Sequence, residues 1–353
     1  MRNTLLLPCA GKSSRYRGVR PKWMLTLPEG DLAIARAAAS IPPWSYHRIV
    51  AAVRAEHEER YGCRALFERV FGNRVEVIVL EQDTRGPAET VSEMLTRGRV
   101  TGPIAIKDAD SFFTATALPE TGFVAVVDVR KNPAMSNVGA KSFAVINGQD
   151  LVVEMIEKSL ASNHVCVGLY GFDDAISFVR SFRAVSEQAA DREIFVSHVM
   201  NHAIAAGMVV KPHEVSGLVD VGTLEDWRRY VRPRGTIVTD LDGVVFKNHS
   251  RYFAPLWDEP DEPIAANVET LRSWAADGAQ IIFMTARPEA HRARTESTLR
   301  QLGLEPHALV MDCRHGRRFL VNDHAATNPA PAAVAISMDR DSATLGDQLR
   351  DWR

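Results

Sequence analysis

The chain contains no CxxC pair. Its four cysteines, Cys9, Cys63, Cys166 and Cys313, are scattered. That spacing offers neither a disulfide frame nor a zinc ribbon, and reduced thiols of a cytoplasmic protein are expected. Long apolar runs are also missing. The first one, residues 4–9, is too short for the apolar part of a signal sequence or for a membrane span, and no later run approaches a membrane-spanning length. No surplus of one charge exists either: 42 Lys and Arg face 44 Asp and Glu, a formal net charge of -2. With no basic run interleaved with aromatics, a broad nucleic-acid footprint is not expected. Internal repeats and low-complexity tracts are absent, which excludes solenoids and disordered arrays.

What remains is a chain of 353 residues, 46% hydrophobic and 24% charged, long enough for two packed cores. Short apolar runs alternate with longer amphipathic stretches, the pattern of α/β layers around mainly parallel sheets. Residues 4–8, 48–53, 75–80, 104–106 and 122–129 read as strands; residues 32–40, 56–71, 88–97 and 193–206 carry helical patterning. Pro233 and Gly235 punctuate the chain at residues 231–235, so domains are expected at 1–232 and 235–353. Beyond the seam, residues 236–239, 280–284 and 319–321 read as buried strands, with helices at 264–277 and 290–302.

Chemistry concentrates first after the opening strand, in Cys9-Ala10-Gly11-Lys12-Ser13-Ser14-Arg15 followed by Arg20-Pro21-Lys22. Small residues let backbone N–H groups approach a polyphosphate, and Arg15 and Lys22 can neutralise its charge. Gly11-Lys12-Ser13 is not a P-loop, which needs a glycine where Leu6 stands. A solvated strand-to-helix turn would also look like this, so the downstream residues decide. Asp108 and Asp110 follow the strand at 104–106, and Asp220 lies in Val219-Asp220-Val221-Gly222-Thr223. Carboxylates gathered from distant strand ends are hard-oxygen ligands suited to Mg²⁺ bridging phosphates. His198 and His202, four apart on a helix, suggest zinc less well, because Val199 stands where helical zinc motifs carry Glu.

Gly11 to Arg15, Pro21-Lys22, Asp110, Glu157-Lys158 and Asp220-Val221-Gly222-Thr223 together resemble the motif series of sugar-phosphate nucleotidyltransferases across roughly residues 1–230. The resemblance implies a Rossmann-like (GT-A-like) domain with a mixed sheet. It implies that Arg15 and Lys22 hold the triphosphate of an NTP, with Ala10, Gly11, Lys12 and Ser13 forming the nucleotide loop. Asp110 and Asp220, with Asp108 nearby, would hold Mg²⁺, and Lys158 would grip the acceptor's phosphate. Gln82 falls where the family contacts the base, and Gly86 lines the same pocket. The loop is poorer in glycine than in many members, and the stretch from Arg15 to Pro21 is short; both alter the nucleotide pocket and leave the base open.

The second constellation starts at Asp240-Leu241-Asp242-Gly243, directly after a strand. A carboxylate there can attack phosphorus, and another two residues on can move the leaving group's proton. Thr285 ends the next strand, and Arg317-Arg318 precedes a run ending in Asn322-Asp323. This half resembles the haloacid dehalogenase phosphatases across roughly residues 235–353. The resemblance implies Asp240 as nucleophile, Asp242 as general acid/base and Thr285 as phosphoryl ligand. It also implies Arg318, or Arg317 with poorer spacing, as the cation, and Asp240, Asp242 and Asp323 around a second Mg²⁺. The short distance from Asp242 to Thr285 leaves room for only a minimal cap, with residues 247–263 as a lid.

The expectation is a bifunctional cytoplasmic enzyme: an α/β chain that couples a phosphorylated sugar or polyol to a nucleotide and hydrolyses a phosphomonoester, in making precursors of surface polysaccharide. Its partners would be an NTP and a phosphorylated small molecule, and it could form a homo-oligomer. The alternatives are a monofunctional nucleotidyltransferase whose C-terminal part is a non-catalytic oligomerisation module, and a nucleotide sensor on an inactive scaffold.

Overall fold

The computed structural model describes residues 3–13, 16, 19–132, 135, 137–190, 192–248, 260–323 and 333–352. The chain divides into two compact units, residues 1–226 and 227–353. No described helix is long and apolar enough to cross a membrane.

The first unit opens with β1 (Asn3–Pro8), α1 (Ala33–Ala39), β2 (Tyr46–Arg54), α2 (Ala55–Tyr61), α3 (Cys63–Phe71) and β3 (Val75–Leu80). α4 (Pro87–Arg97), β4 (Ile104–Lys107), β5 (Ser111–Thr114) and β6 (Gly122–Asp128) follow. Then come β7 (Ser142–Ile146), β8 (Val152–Glu157), β9 (His164–Phe172), α5 (Ala175–Ala189) and α6 (Val196–Ala205). β10 (Val210–Glu214), β11 (Ser216–Asp220) and α7 (Leu224–Val231) end the series, and the division between units falls inside α7.

Among the described residues, nine strands form a mixed sheet in the order β10-β6-β9-β4-β1-β2-β3, with β7 attached to β9 and β8 to β7. β1 is parallel to β2 and β4, whereas β9 runs antiparallel to β4 and β6. Alternation along β1 sends Leu6 into one core, with Val50, Ile104 and Met94, and Leu5 and Leu7 into the other, with Ile49, Ala105 and Phe67. Both faces of the sheet are therefore covered, which is why its strands read as continuous apolar runs.

The helix expected at 56–71 is two helices. Gly62 stands at φ 60° and ψ 50°, and its N–H donates to the carbonyl of Glu58. A glycine in the left-handed region caps α2 and turns the chain before α3.

The second unit holds β12 (Thr236–Asp240), α8 (Ala265–Ala276), β13 (Gln280–Met284), α9 (Arg292–Gln301), β14 (Ala308–Val310) and α10 (Leu345–Leu349). The three strands form a parallel sheet in chain order around Leu241, Phe246, Leu271, Phe283 and Leu299. The strand expected at 319–321 is not formed: Phe319 and Val321 are 86% and 90% exposed, and Ala308–Val310 supplies the third strand instead. An apolar triplet satisfies the strand pattern wherever it stands, and only pairing decides whether it becomes one.

Candidate active site

β2 and β3 follow β1 on one side of the sheet, and β4 lies on the other, so the loops leaving β1 and β4 diverge and open a crevice at the strands' C-terminal ends. The loop after β1 carries Ala10, Gly11, Lys12 and Ser13; the turn after β4 carries Asp108 and Asp110. Asp220 reaches the same place through a short antiparallel pairing of β11 with β5, in which it lies opposite Ser111. The N–H of Val221 then donates to the carbonyl of Asp110 at 2.8 Å.

Gly222 sits between the two carboxylates. A Cβ there would lie 3.0 Å from Asp220 Oδ1 and 3.4 Å from Asp110 Oδ2, so those oxygens are no farther apart than the two distances together. Each carboxylate also has its own ammonium: Lys22 Nζ is 2.5 Å from Asp110 Oδ2, and Lys141, just before β7, pairs with Asp220. Burial alone would raise the Asp110 pKa, but the charge and hydrogen bond of Lys22 outweigh it and keep the carboxyl ionised. Two carboxylates brought together at Gly222 fit Mg²⁺, which takes few protein ligands when phosphates complete its shell. Among the described residues no group of three or more His, Cys, Asp or Glu forms a fuller cage.

Asp108 faces elsewhere. Its Oδ2 lies where a Cβ at Gly168 would come within 2.5 Å, and Gly168 stands at φ 76°. Burial first, then the charge of Asp110, raises its pKa. The turn carrying these aspartates is held from beneath by Lys107, fully buried, whose Nζ donates to the carbonyls of Asp108 (2.7 Å) and Ser111 (2.8 Å) and to Ser111 Oγ (2.8 Å). Burial lowers its pKa to about 8, against the raising charges of Asp108, Asp110 and Asp220.

On one side of the carboxylates, Lys12 Nζ is 2.8 Å from Asp83, which Arg54 also holds at 3.1 Å; the loop after β1 is thereby tied to the segment containing Gln82. Gln82 is exposed. Gly86, at φ 141°, has a packing role: a Cβ there would come within 2.7 Å of the Ile194 carbonyl. Tyr16 is buried, and its hydroxyl lies at the carbonyls of Val221 and Thr223, the latter at 2.8 Å. It joins the loop after β1 to the loop after Asp220. Arg15 and Ser14 lie outside the described residues.

On the other side, Lys158 is exposed, with Nζ 4.5 Å over the Phe195 ring. Its N–H donates to the carbonyl of Lys141 at 3.0 Å. Glu157 accepts from the hydroxyls of Ser142, at 2.5 Å, and Ser197. His198 Nδ1 accepts from the Phe195 N–H at 3.4 Å and its ring packs on Phe195, which accounts for this histidine without a metal.

In the second unit the parallel register sets Asp240 opposite Met284, so Asp240 and Thr285 emerge from neighbouring strand ends. Arg318 Nη2 is 4.0 Å from Asp240 Oδ1. Burial, opposed by Arg318 and reinforced by Asp242, raises the Asp240 pKa. Thr285 was expected to face a phosphoryl group; its hydroxyl donates to Asp242 Oδ2 at 2.8 Å. Arg287, 4% exposed, grips Asp242 through Nη2 at 2.7 Å and Nε at 3.1 Å, and Asp261 through Nη2 at 2.8 Å. Asp323 lies in an exposed stretch without a strand to carry it, and Arg317 is likewise exposed. With Asp242 held by Arg287 and Thr285, the described residues here do not assemble a metal site. Residues 249–259 of the expected lid lie outside the described residues.

Lys141, Tyr16, Lys107 and Asp261, which sequence reasoning missed along with Arg287, carry no motif spacing that marks them in the sequence. The one available signal was Arg287, two residues past the strand-end Thr285.

No family model matches the chain, and no curated protein does. Solved structures do. A nucleoside-diphosphate-sugar pyrophosphorylase from Vibrio cholerae RC9 superposes with a TM-score of 0.56 at 22% identity, covering 65% of this chain and all (100%) of its own. The inositol-1-phosphate CTP transferase from T. maritima gives 0.50 at 16% identity, covering 64% of this chain and 91% of its own. At these identities the likeness establishes the fold: the N-terminal part is a mixed α/β domain of the sugar nucleotidyltransferase type.

Proposed function

We propose that the first unit transfers a nucleotidyl group from an NTP to a phosphorylated sugar or polyol and releases pyrophosphate. The observation that carries this reading is the pair Asp110 and Asp220 at Gly222, each beside a lysine, at the switch point of a nucleotidyltransferase fold. The solved structures of that fold bear names of enzymes acting on nucleoside-diphosphate sugars and on inositol 1-phosphate. Asp110 and Asp220 would hold Mg²⁺, which would supply charge neutralisation to the polyphosphate. The backbone from Ala10 to Ser13, with Lys12, Lys22 and Arg15, binds and orients the triphosphate. Lys158 holds the acceptor's phosphate so that one of its oxygens attacks the α-phosphorus in line. The new P–O bond forms as the bond to the bridging oxygen breaks, and pyrophosphate leaves with the electron pair. Positioning and charge account for the rate, without a covalent intermediate.

For the second unit we propose phosphomonoester hydrolysis with Asp240 as nucleophile and Arg318, or its neighbour Arg317, as the cation facing the phosphoryl group. The Asp240 carboxylate bonds to phosphorus as the ester oxygen leaves, and water then cleaves the aspartyl-phosphate to inorganic phosphate. The grip of Arg287 and Thr285 on Asp242 favours a second reading: a monofunctional transferase whose C-terminal unit is a non-catalytic oligomerisation module. In the first reading the two activities serve one pathway to an activated precursor of surface polysaccharide, in the cytoplasm.

The test is a pyrophosphate-release screen of NTPs against phosphorylated sugars and polyols with Mg²⁺, with inorganic phosphate followed in parallel. Pyrophosphate from at least one pair is expected. Silence across the panel overturns the transferase reading, and phosphate release absent from a broad phosphomonoester panel leaves the oligomerisation module.

A further inference from the structure

Lys141 belongs to no motif in the chain, yet it makes a contact that the transferase chemistry cannot ignore. Its ammonium pairs with the carboxylate of Asp220, and both side chains are about four-fifths buried, 21% and 22% exposed. Asp110 is arranged in the same way with Lys22. Two carboxylates and two ammonium groups thus meet around Gly222 with their formal charges balanced. Lys22 arrives from the nucleotide loop; Lys141 arrives from the opposite direction, at the start of β7. There its carbonyl accepts the N–H of Lys158 at 3.0 Å, so that Lys141 is the cross-strand neighbour of the lysine facing the acceptor. One residue is therefore joined through its side chain to the metal-holding carboxylate and through its backbone to the acceptor-binding lysine.

Lys141 holds Asp220 Oδ2, whereas Oδ1 is the oxygen turned toward Asp110 at Gly222. A divalent cation on either oxygen draws charge from the whole carboxylate and repels the ammonium, so it weakens the hold on Lys141, whose head sits on a flexible four-carbon stem with three donors. A site that gains from a second ammonium is the one at Lys158, bonded through its backbone to Lys141, where a phosphate dianion needs more than one positive charge to be held against a polyphosphate of the same sign.

We propose that Lys141 serves two partners in turn: Asp220 before the metal is bound, and the acceptor's phosphate afterwards. Lys141 is then a second phosphate-binding residue and the group that couples metal loading to acceptor recognition. This rests on the transferase reading of the first unit. The acceptor class it implies is a phosphomonoester dianion, because a neutral hydroxyl acceptor would have no use for paired lysines.

The experiment measures two quantities on the full chain. Mn²⁺ affinity without nucleotide is followed by electron paramagnetic resonance, and KM for acceptor and for NTP by pyrophosphate release. Lys141→Met removes the competing ammonium, so Mn²⁺ should bind about three- to fivefold more tightly, the range expected for losing one partly exposed ion pair. The same variant should raise the acceptor KM about tenfold or more while leaving the NTP KM within about twofold, since a hydrogen bond to a charged group contributes on that scale. Lys141→Arg keeps the charge and should stay close to the wild type in Mn²⁺ affinity, which separates charge from packing. Equal or weaker Mn²⁺ binding in Lys141→Met, or an acceptor KM that does not move while the wild type turns over, overturns the proposal for Lys141 alone. A wild type that neither binds Mn²⁺ nor releases pyrophosphate overturns the transferase reading with it.

Discussion

The two units treat their carboxylates in opposite ways. In the first, Asp110, in the turn between β4 and β5, and Asp220, at the end of β11, meet beside Gly222, each paired with a partly exposed lysine. In the second, Asp242 is fastened by a buried arginine that also grips Asp261 and sits over the Phe246 ring at 5.0 Å. A lysine at the rim of a crevice can let go when a phosphate or cation arrives. A bidentate guanidinium buried between two carboxylates cannot leave without stranding charge. The same Asp-x-Asp spacing after a strand therefore ends beside a partly exposed lysine in one unit and inside a buried arginine clamp in the other.

The sharpest way to break this comparison is to neutralise one carboxylate in each unit. Asp220→Asn should lower pyrophosphate release on the order of a hundredfold or more. Asp240→Asn should abolish phosphate release, since an amide is no useful nucleophile toward phosphorus. Each variant should leave the other activity intact. Phosphate release surviving Asp240→Asn would show that another group attacks, and normal turnover of Asp220→Asn would remove the metal role from the first unit.

Next in size is Arg287→Met, which leaves Asp242 and Asp261 buried without their counter-charge. Breaking such a pair costs about 3–5 kcal/mol, so the second unit should melt many degrees earlier while pyrophosphate release persists at assay temperature. Calorimetry checks this. A melting point that does not move would mean the guanidinium is there for catalysis rather than for packing.

Gly86→Ala tests backbone geometry in the first unit. A methyl group 2.7 Å from the Ile194 carbonyl, on a residue at φ 141°, should cost about 1–3 kcal/mol. The melting temperature of the first unit should fall by several degrees, with binding of the NTP affected less than stability. Were affinity lost without any change in melting, Gly86 would be a pocket residue, as its position in the sequence first implied.

The smallest effect concerns His57, buried against Trp23 and Tyr61. Burial, then the charge of Arg54, holds its pKa below the ordinary value. The unfolded chain therefore binds the proton more readily, so the contribution of His57 to stability is present above about pH 6.5 and is lost as pH falls below it. Melting temperatures at pH 7.5 and 5.5 should diverge less in His57→Leu than in the wild type. Equal divergence would place the acid sensitivity elsewhere.

Much of the first unit was legible in the chain. Its strand at 104–106 read correctly because it is uniformly apolar and buried on both faces, and the one at 75–80 because Val, Ile and Leu fill every position but Glu76. Apolar pattern was a poorer guide where the sheet ends. Phe319 to Val321 carry the composition of a strand and stand in solvent, whereas Ala308–Val310 pairs with β13. The pairing of β5 with β11 escaped notice altogether, because strands of four and five residues have too few alternations to show a period.

The sequence by itself determined the order of the chemical groups: a small-residue loop with cations after the first strand, aspartates after the fourth, and a late Asp-Val-Gly-Thr. It also determined that an acidic pair follows a strand near residue 240. Those are local facts, written in neighbouring residues. Only the tertiary structure decided which carboxylates meet and what answers their charge. It joined Asp110 to Asp220 across more than a hundred residues of chain, gave Lys141 to one and Lys22 to the other, and closed Arg287 around Asp242. The physical reason is that an ion pair is set by distance and burial, and neither is encoded by proximity along the chain.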